Sequence, residues 1–153
     1  MIRVTNQYFW NIIFLLFFVC LVIMSAIILQ TEARLSLYDL TVYDMSIIAL
    51  ASFRLMHLFA YDSITKFFRE QFYDAKVTKA GKVTLYKPAS GPRRTIVDLI
   101  SCPWCFGIWT TATILFFYLA TQWAVFPIYV LAISAVVTFF AKISFLIENK
   151  IAE

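Results

Sequence analysis

Long apolar runs separated by short polar breaks dominate the chain, and their lengths set the first expectation. Residues 8–29 carry no charged side chain. At about 1.5 Å rise per residue, a helix of that length crosses a hydrocarbon core of about 30 Å. A second run covers about 45–61 and holds Arg54 and His57 inside it. Between Asp98 and Lys142 there is no acidic or basic side chain. That stretch has room for two crossings, at about 103–120 and 126–147, with a turn near Thr121-Gln122-Trp123 and Pro127. The pattern predicts an all-α integral membrane protein with four transmembrane helices, residues 1–153 forming a single membrane domain. Trp104, Trp109, Tyr118, Trp123 and Tyr129 fall near the expected interfaces, as an aromatic belt does.

The periodicity changes in the loop 62–101. From Asp62 to Tyr73 the spacing is helical: Ile64, Phe67, Phe68 and Phe72 fall on one side, Lys66, Arg69 and Glu70 on the other. This reads as an interfacial helix lying on the membrane, with Asp62 as its N-cap. Lys76 to Lys87 alternates instead, which predicts a two-stranded ribbon turning at Ala80-Gly81. Pro88 to Pro92 is expected to be a loop. Between the first two spans, Leu35, Leu37, Tyr38 and Leu40 are expected to rest on the bilayer surface.

Composition agrees with this solvent. The chain is 62% hydrophobic and 14% charged, against about 25% charged in ordinary soluble domains. The net charge of +4 matters less than its placement. Eight of the thirteen basic residues (Lys66, Arg69, Lys76, Lys79, Lys82, Lys87, Arg93 and Arg94) lie in the one large loop. The positive-inside bias puts that loop, and with it both termini, in the cytoplasm. The same residues form a cationic face suited to anionic lipid or a partner protein, a reading favoured over nucleic acid because the cluster is wedged between spans. The first apolar run, about 20 residues, exceeds the 7–15 of a signal h-region and lacks a small-x-small site, so an uncleaved anchor is expected.

Candidate chemistry is sparse. Arg54 and His57 are costly in a membrane unless they snorkel or are paired, and such residues normally face the protein interior. Arg54 is expected to snorkel or to pair with a carboxylate such as Asp62 or Asp98, ahead of a ligand- or ion-contacting role, and His57 to hydrogen-bond a neighbouring helix. Ala49, Ser52 and Ala60 leave room for a close helix neighbour, in this protein, another membrane protein or a second copy. Cys20 reads as a small buried apolar side chain. Cys102 and Cys105 flank Pro103-Trp104 at the start of the third span. Pro103 suits the first helical turn, which makes Cys102 the N-cap, where the helix dipole lowers a thiol pKa. Three roles stay open for the pair. It packs structurally, binds a metal such as zinc with His57 as third ligand, or exchanges electrons as a dithiol. No Ser-His-Asp set, catalytic carboxylate pair, Gly-rich phosphate loop or pair of broken helices points to another enzyme class or to transport.

Taken together, Ala51-Ser52-Phe53-Arg54-Leu55, Asp62-Ser63-Ile64-Thr65, Arg69 and Cys102-Pro103-Trp104-Cys105-Phe106-Gly107-Ile108-Trp109 resemble the bacterial family of small membrane proteins called domain of unknown function 1360. The resemblance runs from about Ile47 to the end of the chain. It implies a multi-span protein of the bacterial cytoplasmic (inner) membrane and no established activity. The first span and the ribbon from Lys76 to Lys87 are additions to the shorter members and fit an assembly role. The preferred reading is therefore a non-enzymatic structural, assembly or partner-binding component. The alternative is a membrane thiol-redox or metal-binding protein using Cys102 and Cys105.

Overall fold

Every apolar run becomes a helix. A computed structural model describes residues 2–77 and 83–151. Its elements are α1 (Ile2–Glu32), α2 (Val42–Ala60), α3 (Lys66–Glu70), β1 (Asp74–Val77), β2 (Val83–Tyr86), α4 (Pro92–Ser101), α5 (Pro103–Ala120) and α6 (Val125–Ile151). Among the described residues, α1, α2, α5 and α6 are the four helices long and apolar enough to cross a membrane. The ribbon is also present: β1 pairs antiparallel with β2, Asp74 opposite Tyr86 and Val77 opposite Val83. The turn expected at Ala80-Gly81, together with Lys79 and Lys82, lies outside the described residues, as does the side chain of Lys76.

Contacts divide the chain into two compact units, Met1–Ala26 with Met56–Trp109 and Ile27–Leu55 with Thr110–Glu153. The second unit packs helix against helix. Ile48 and Ala51 of α2, Ile114, Tyr118 and Leu119 of α5, and Ile128 and Ala132 of α6 form its buried cluster. Ile48 and Ala51, Ile114 with Tyr118 and Leu119, and Ile128 and Ala132 stand three to five apart, which places each set on one side of its helix. The start of α2 is fixed by a reciprocal cap. The Thr41 amide and hydroxyl both donate to Asp44 Oδ2, at 3.0 and 2.6 Å, and the Asp44 amide donates back to Thr41 Oγ1 at 3.2 Å. Tyr118, which the aromatic-belt pattern placed at an interface, is only 3% exposed, and its hydroxyl donates to Asp44 Oδ1 at 2.5 Å. The loop before α2 is half inward too. Leu35 and Leu40 pack against the cluster, while Leu37 and Tyr38 are exposed.

The first unit departs from expectation in two places. The helix proposed for Asp62–Tyr73 is broken into a 3-10 turn, Ser63–Thr65, and the five residues of α3. Asp62 makes no side-chain cap bond there because its carboxylate is taken by His57 Nδ1 at 3.1 Å. Thr65 Oγ1 meanwhile donates to Leu58 O at 2.5 Å and to Asp62 O at 3.1 Å, folding the segment back onto the end of α2. Phe68 therefore turns to the Phe59 ring at 5.9 Å, and Ile64 and Phe67 are left exposed. The second departure is α4, an amphipathic helix where only a loop and an Arg pair were expected. Gly91 begins it at φ 103°, a conformation open to glycine, and Pro92 occupies its first position. Thr95, Val97 and Ile100 form its buried face.

Replacing Tyr118 by Phe removes a hydrogen bond to a carboxylate while keeping the ring. Thermal unfolding in detergent is expected to show a loss of about 1–3 kcal/mol. An unchanged midpoint would mean that the Tyr118–Asp44 bond contributes nothing to the second unit.

Candidate functional site

Pro103 disfavours helical backbone in the residue before it, and Cys102 accordingly sits at φ −107°, ψ 99°. That residue ends α4 and opens α5 in one step. The Cys102 carbonyl accepts the Phe106 amide at 2.9 Å, and its Sγ accepts the Cys105 amide at 3.3 Å. Cys102 is thus the N-cap of α5, with sulfur in the place usually taken by a serine or aspartate oxygen. The two sulfurs adjoin each other, with Cα atoms 5.3 Å apart, inside the span a disulfide bridges. Cys105 is exposed and Cys102 half-buried. Cys20, expected to be buried, lies exposed on α1.

Cys105 also lines a groove of about 420 Å³ between α1, α4 and α5. Its apolar wall includes Phe14, Leu15, Phe18, Ile108 and Trp109. Trp109 lies 4.7 Å from the Phe18 ring and 6.3 Å from that of Phe17. The polar wall is Asn11, Thr95 and Asp98. Asn11 Oδ1 accepts Gln7 Nε2 and Thr95 Oγ1, each at 3.1 Å, and Gln7 Nε2 also donates to Thr95 Oγ1 at 2.9 Å. These polar residues were not singled out from the sequence. The readable signal is Gln7 and Asn11 standing four apart at the start of a long apolar run, which places them on one face.

Among the described residues of the loop, Arg69, Arg93, Arg94 and Lys87 are committed within the unit. Arg69 wraps the end of α2, donating to the carbonyls of Phe59 (3.2 Å), Ala60 and Asp62 (3.3 Å). Arg93 reaches Asp74 Oδ1 at 3.2 Å and the carbonyls of Gln71 and Tyr73. Arg94 and Lys87 share Asp98, at 2.8 and 3.2 Å, and Arg94 also donates to Pro88 O. Lys66 alone of the described set makes just an exposed i,i+4 pair, with Glu70 at 3.6 Å. These bonds stabilise carbonyls at helix and strand ends that would otherwise lack donors.

Arg54 Nε donates to Ser134 Oγ of α6 at 3.0 Å. His57 bonds Asp62, just beyond its own helix, and its ring lies 5.1 Å from that of Tyr61. It does not join the cysteines: among the described residues, no three or more His, Cys, Asp or Glu side chains are grouped to hold a metal ion. The three-ligand set of Cys102, Cys105 and His57 is therefore not assembled.

The thiol pair, Arg54, His57 and the arginine framework all fall within residues 47–144, which match the model of the family described as "Protein of unknown function (DUF1360)". The chain belongs to the DUF1360 family. Residues of α1, with Asn11 and the groove wall from Phe14 to Phe18, lie outside the DUF1360 match. The chain is also similar to the UPF0713 protein YngL of Bacillus subtilis (strain 168), at 36% identity over 88 residues, 56% of this chain. The alignment spans 65% of that relative, just under two thirds of its length. No solved structure matches the chain.

The DUF1360 arginine cap gives a direct test. Lysine is a point charge and cannot serve several carbonyls with a planar fork. Arg69→Lys is expected to destabilise the protein by about 2 kcal/mol, whereas Lys66→Ala changes stability by less than about 0.5 kcal/mol. Equal melting curves for the two variants in detergent would show that Arg69 does not hold the end of α2.

Proposed function

We propose that this chain is a four-pass protein of the bacterial cytoplasmic membrane, with loop 62–101 and both termini in the cytoplasm, that works by thiol–disulfide exchange at Cys102 and Cys105. The observation that carries the reading is the Cys105 amide donating to Cys102 Sγ at the N-cap of α5. A thiolate at Cys102 gains that bond and the positive end of the helix dipole, which makes it the better leaving group. Cys105 is the exposed sulfur that an incoming thiolate reaches. As that thiolate bonds to Cys105, the Cys102–Cys105 bond breaks and its electron pair passes to Cys102. In the reverse step the Cys102 thiolate attacks Cys105 Sγ, reforms the Cys102–Cys105 disulfide and releases the partner as a thiolate. A second partner thiol attacking its own sulfur in the mixed disulfide instead releases the Cys105 thiolate and leaves the partner oxidised. Four apolar helices support the membrane setting, and the clustered lysines and arginines support the orientation.

The non-enzymatic partner-binding reading drew on a free cationic face. Arg69, Arg93, Arg94 and Lys87 are held by carbonyls and carboxylates of the same unit, so they have less to offer a lipid phosphate or a partner. Metal binding keeps only two of its expected ligands together.

With Cys20 replaced by Ala, Cys102→Ser is expected to leave Cys105 in a reducible mixed disulfide in cells, visible as an adduct by mass spectrometry. Cys105→Ser is expected to accumulate far less. An impermeant maleimide is expected to label the pair only after the cells are opened. Absence of any reducible adduct on either variant overturns the exchange reading, and labelling of intact cells overturns the orientation.

A further inference from the structure

The groove beside Cys105 has a wall that the exchange reaction leaves unused. We propose that it is a binding site for a membrane quinone, and that the reduced Cys102/Cys105 pair passes two electrons to the quinone ring. The proposal rests on the exchange reading above and adds the substrate class. Three features of the groove fit that class, and the sulfur pair gives it a reaction that an ordinary lipid lacks. Its far wall is aromatic, Trp109 against Phe18 at 4.7 Å, and suits a flat ring with a hydrocarbon tail. Its polar wall, Asn11, Thr95 and Asp98, offers a donor: Asn11 Oδ1 is occupied by Gln7 and Thr95, which leaves Nδ2 as the hydrogen-bonding group the amide presents, and the Asp98 carboxylate is held by Arg94 and Lys87. A quinone's carbonyl oxygens are acceptors that such a donor can bind. The third feature is Cys105, an exposed residue that lines the same groove, with the Cys102 sulfur beside its own and able to resolve an adduct.

The step balances without a further reactant. The Cys105 thiolate forms a bond to a ring carbon, and the Cys102 thiolate then attacks Cys105 Sγ. The sulfur–carbon bond breaks and its electron pair stays on the ring. The two thiol protons end on the ring oxygens, so a dithiol becomes a disulfide and a quinone becomes a quinol. Cytoplasmic thiols reopen the disulfide by the exchange described above. Asn11 and the residues from Phe14 to Phe18 belong to α1, outside the family match, so the site is assigned to this chain and not to the family.

The test uses the full chain carrying Cys20→Ala, purified in detergent and reduced. Decylubiquinone and a short-tailed menaquinone analogue are added in turn, and remaining thiols and quinol are both counted. One quinol per pair of thiols lost is expected with at least one of the two. Trp109→Ala removes the aromatic wall, and Leu15→Trp fills the groove without deleting a packed ring. Each is expected to slow oxidation by quinone about tenfold and to leave oxidation by water-soluble diamide unchanged. Closure by diamide with neither quinone reacting overturns the quinone site and keeps the exchange reading. Failure of diamide as well overturns both. Equal quinone rates in the parent and in Leu15→Trp show that the reaction bypasses the groove, and that also overturns the site.

Discussion

The ring of Pro103 crowds the backbone of Cys102, and the local chemistry of the chain descends from that crowding. An extended residue between two helices has to stop the first and start the second. It does both here, and the free amides at the start of α5 then need an acceptor. The acceptor is a thiol sulfur. A serine at this place would cap as well, so capping alone does not account for cysteine. What cysteine adds is a group whose ionised form gains from the same amide, three residues from a second sulfur on the next turn.

The arginines of the loop show how a helix end is finished where apolar side chains dominate. The last carbonyls of α2 run out of following helical amides. Arg69 supplies planar donors to two of them, Phe59 and Ala60, and to Asp62 just beyond, and Arg93 does the same for the segment that leads into β1. Asp98 balances Arg94 and Lys87 at once. Among the described residues, the charge of Arg69, Arg93, Arg94 and Lys87 is therefore architecture. Counting lysines and arginines orients a chain, but it does not say which of them remain available.

Reading residues in order recovered the four long helices because each needs only length and apolarity, both local properties. It recovered the ribbon from alternation, and the cap at Cys102 from a proline beside it. It missed α4 because Pro88, Gly91 and Pro92 read as loop, although Pro92 at the first position and Arg94 four residues before Asp98 are helix signals. Asp62 was assigned to the wrong end of the problem. As a sequence it resembles a cap, yet a histidine five residues earlier competes for the same carboxylate. Arg54 meeting Ser134, and Tyr118 meeting Asp44, join residues 80 and 74 positions apart. No local pattern contains such pairings, since they depend on which helices become neighbours.

The first helix is apolar on nearly every side, and such a cylinder has no preferred rotation against its neighbours. Gln7 and Asn11 break that degeneracy. Their amides close a three-membered ring of hydrogen bonds with Thr95, and a turn of α1 by one residue, about 100°, would carry both amides away from the hydroxyl. Three small polar groups thus act as a key in a slot, setting the angular position of a helix whose greasy surface is indifferent to it.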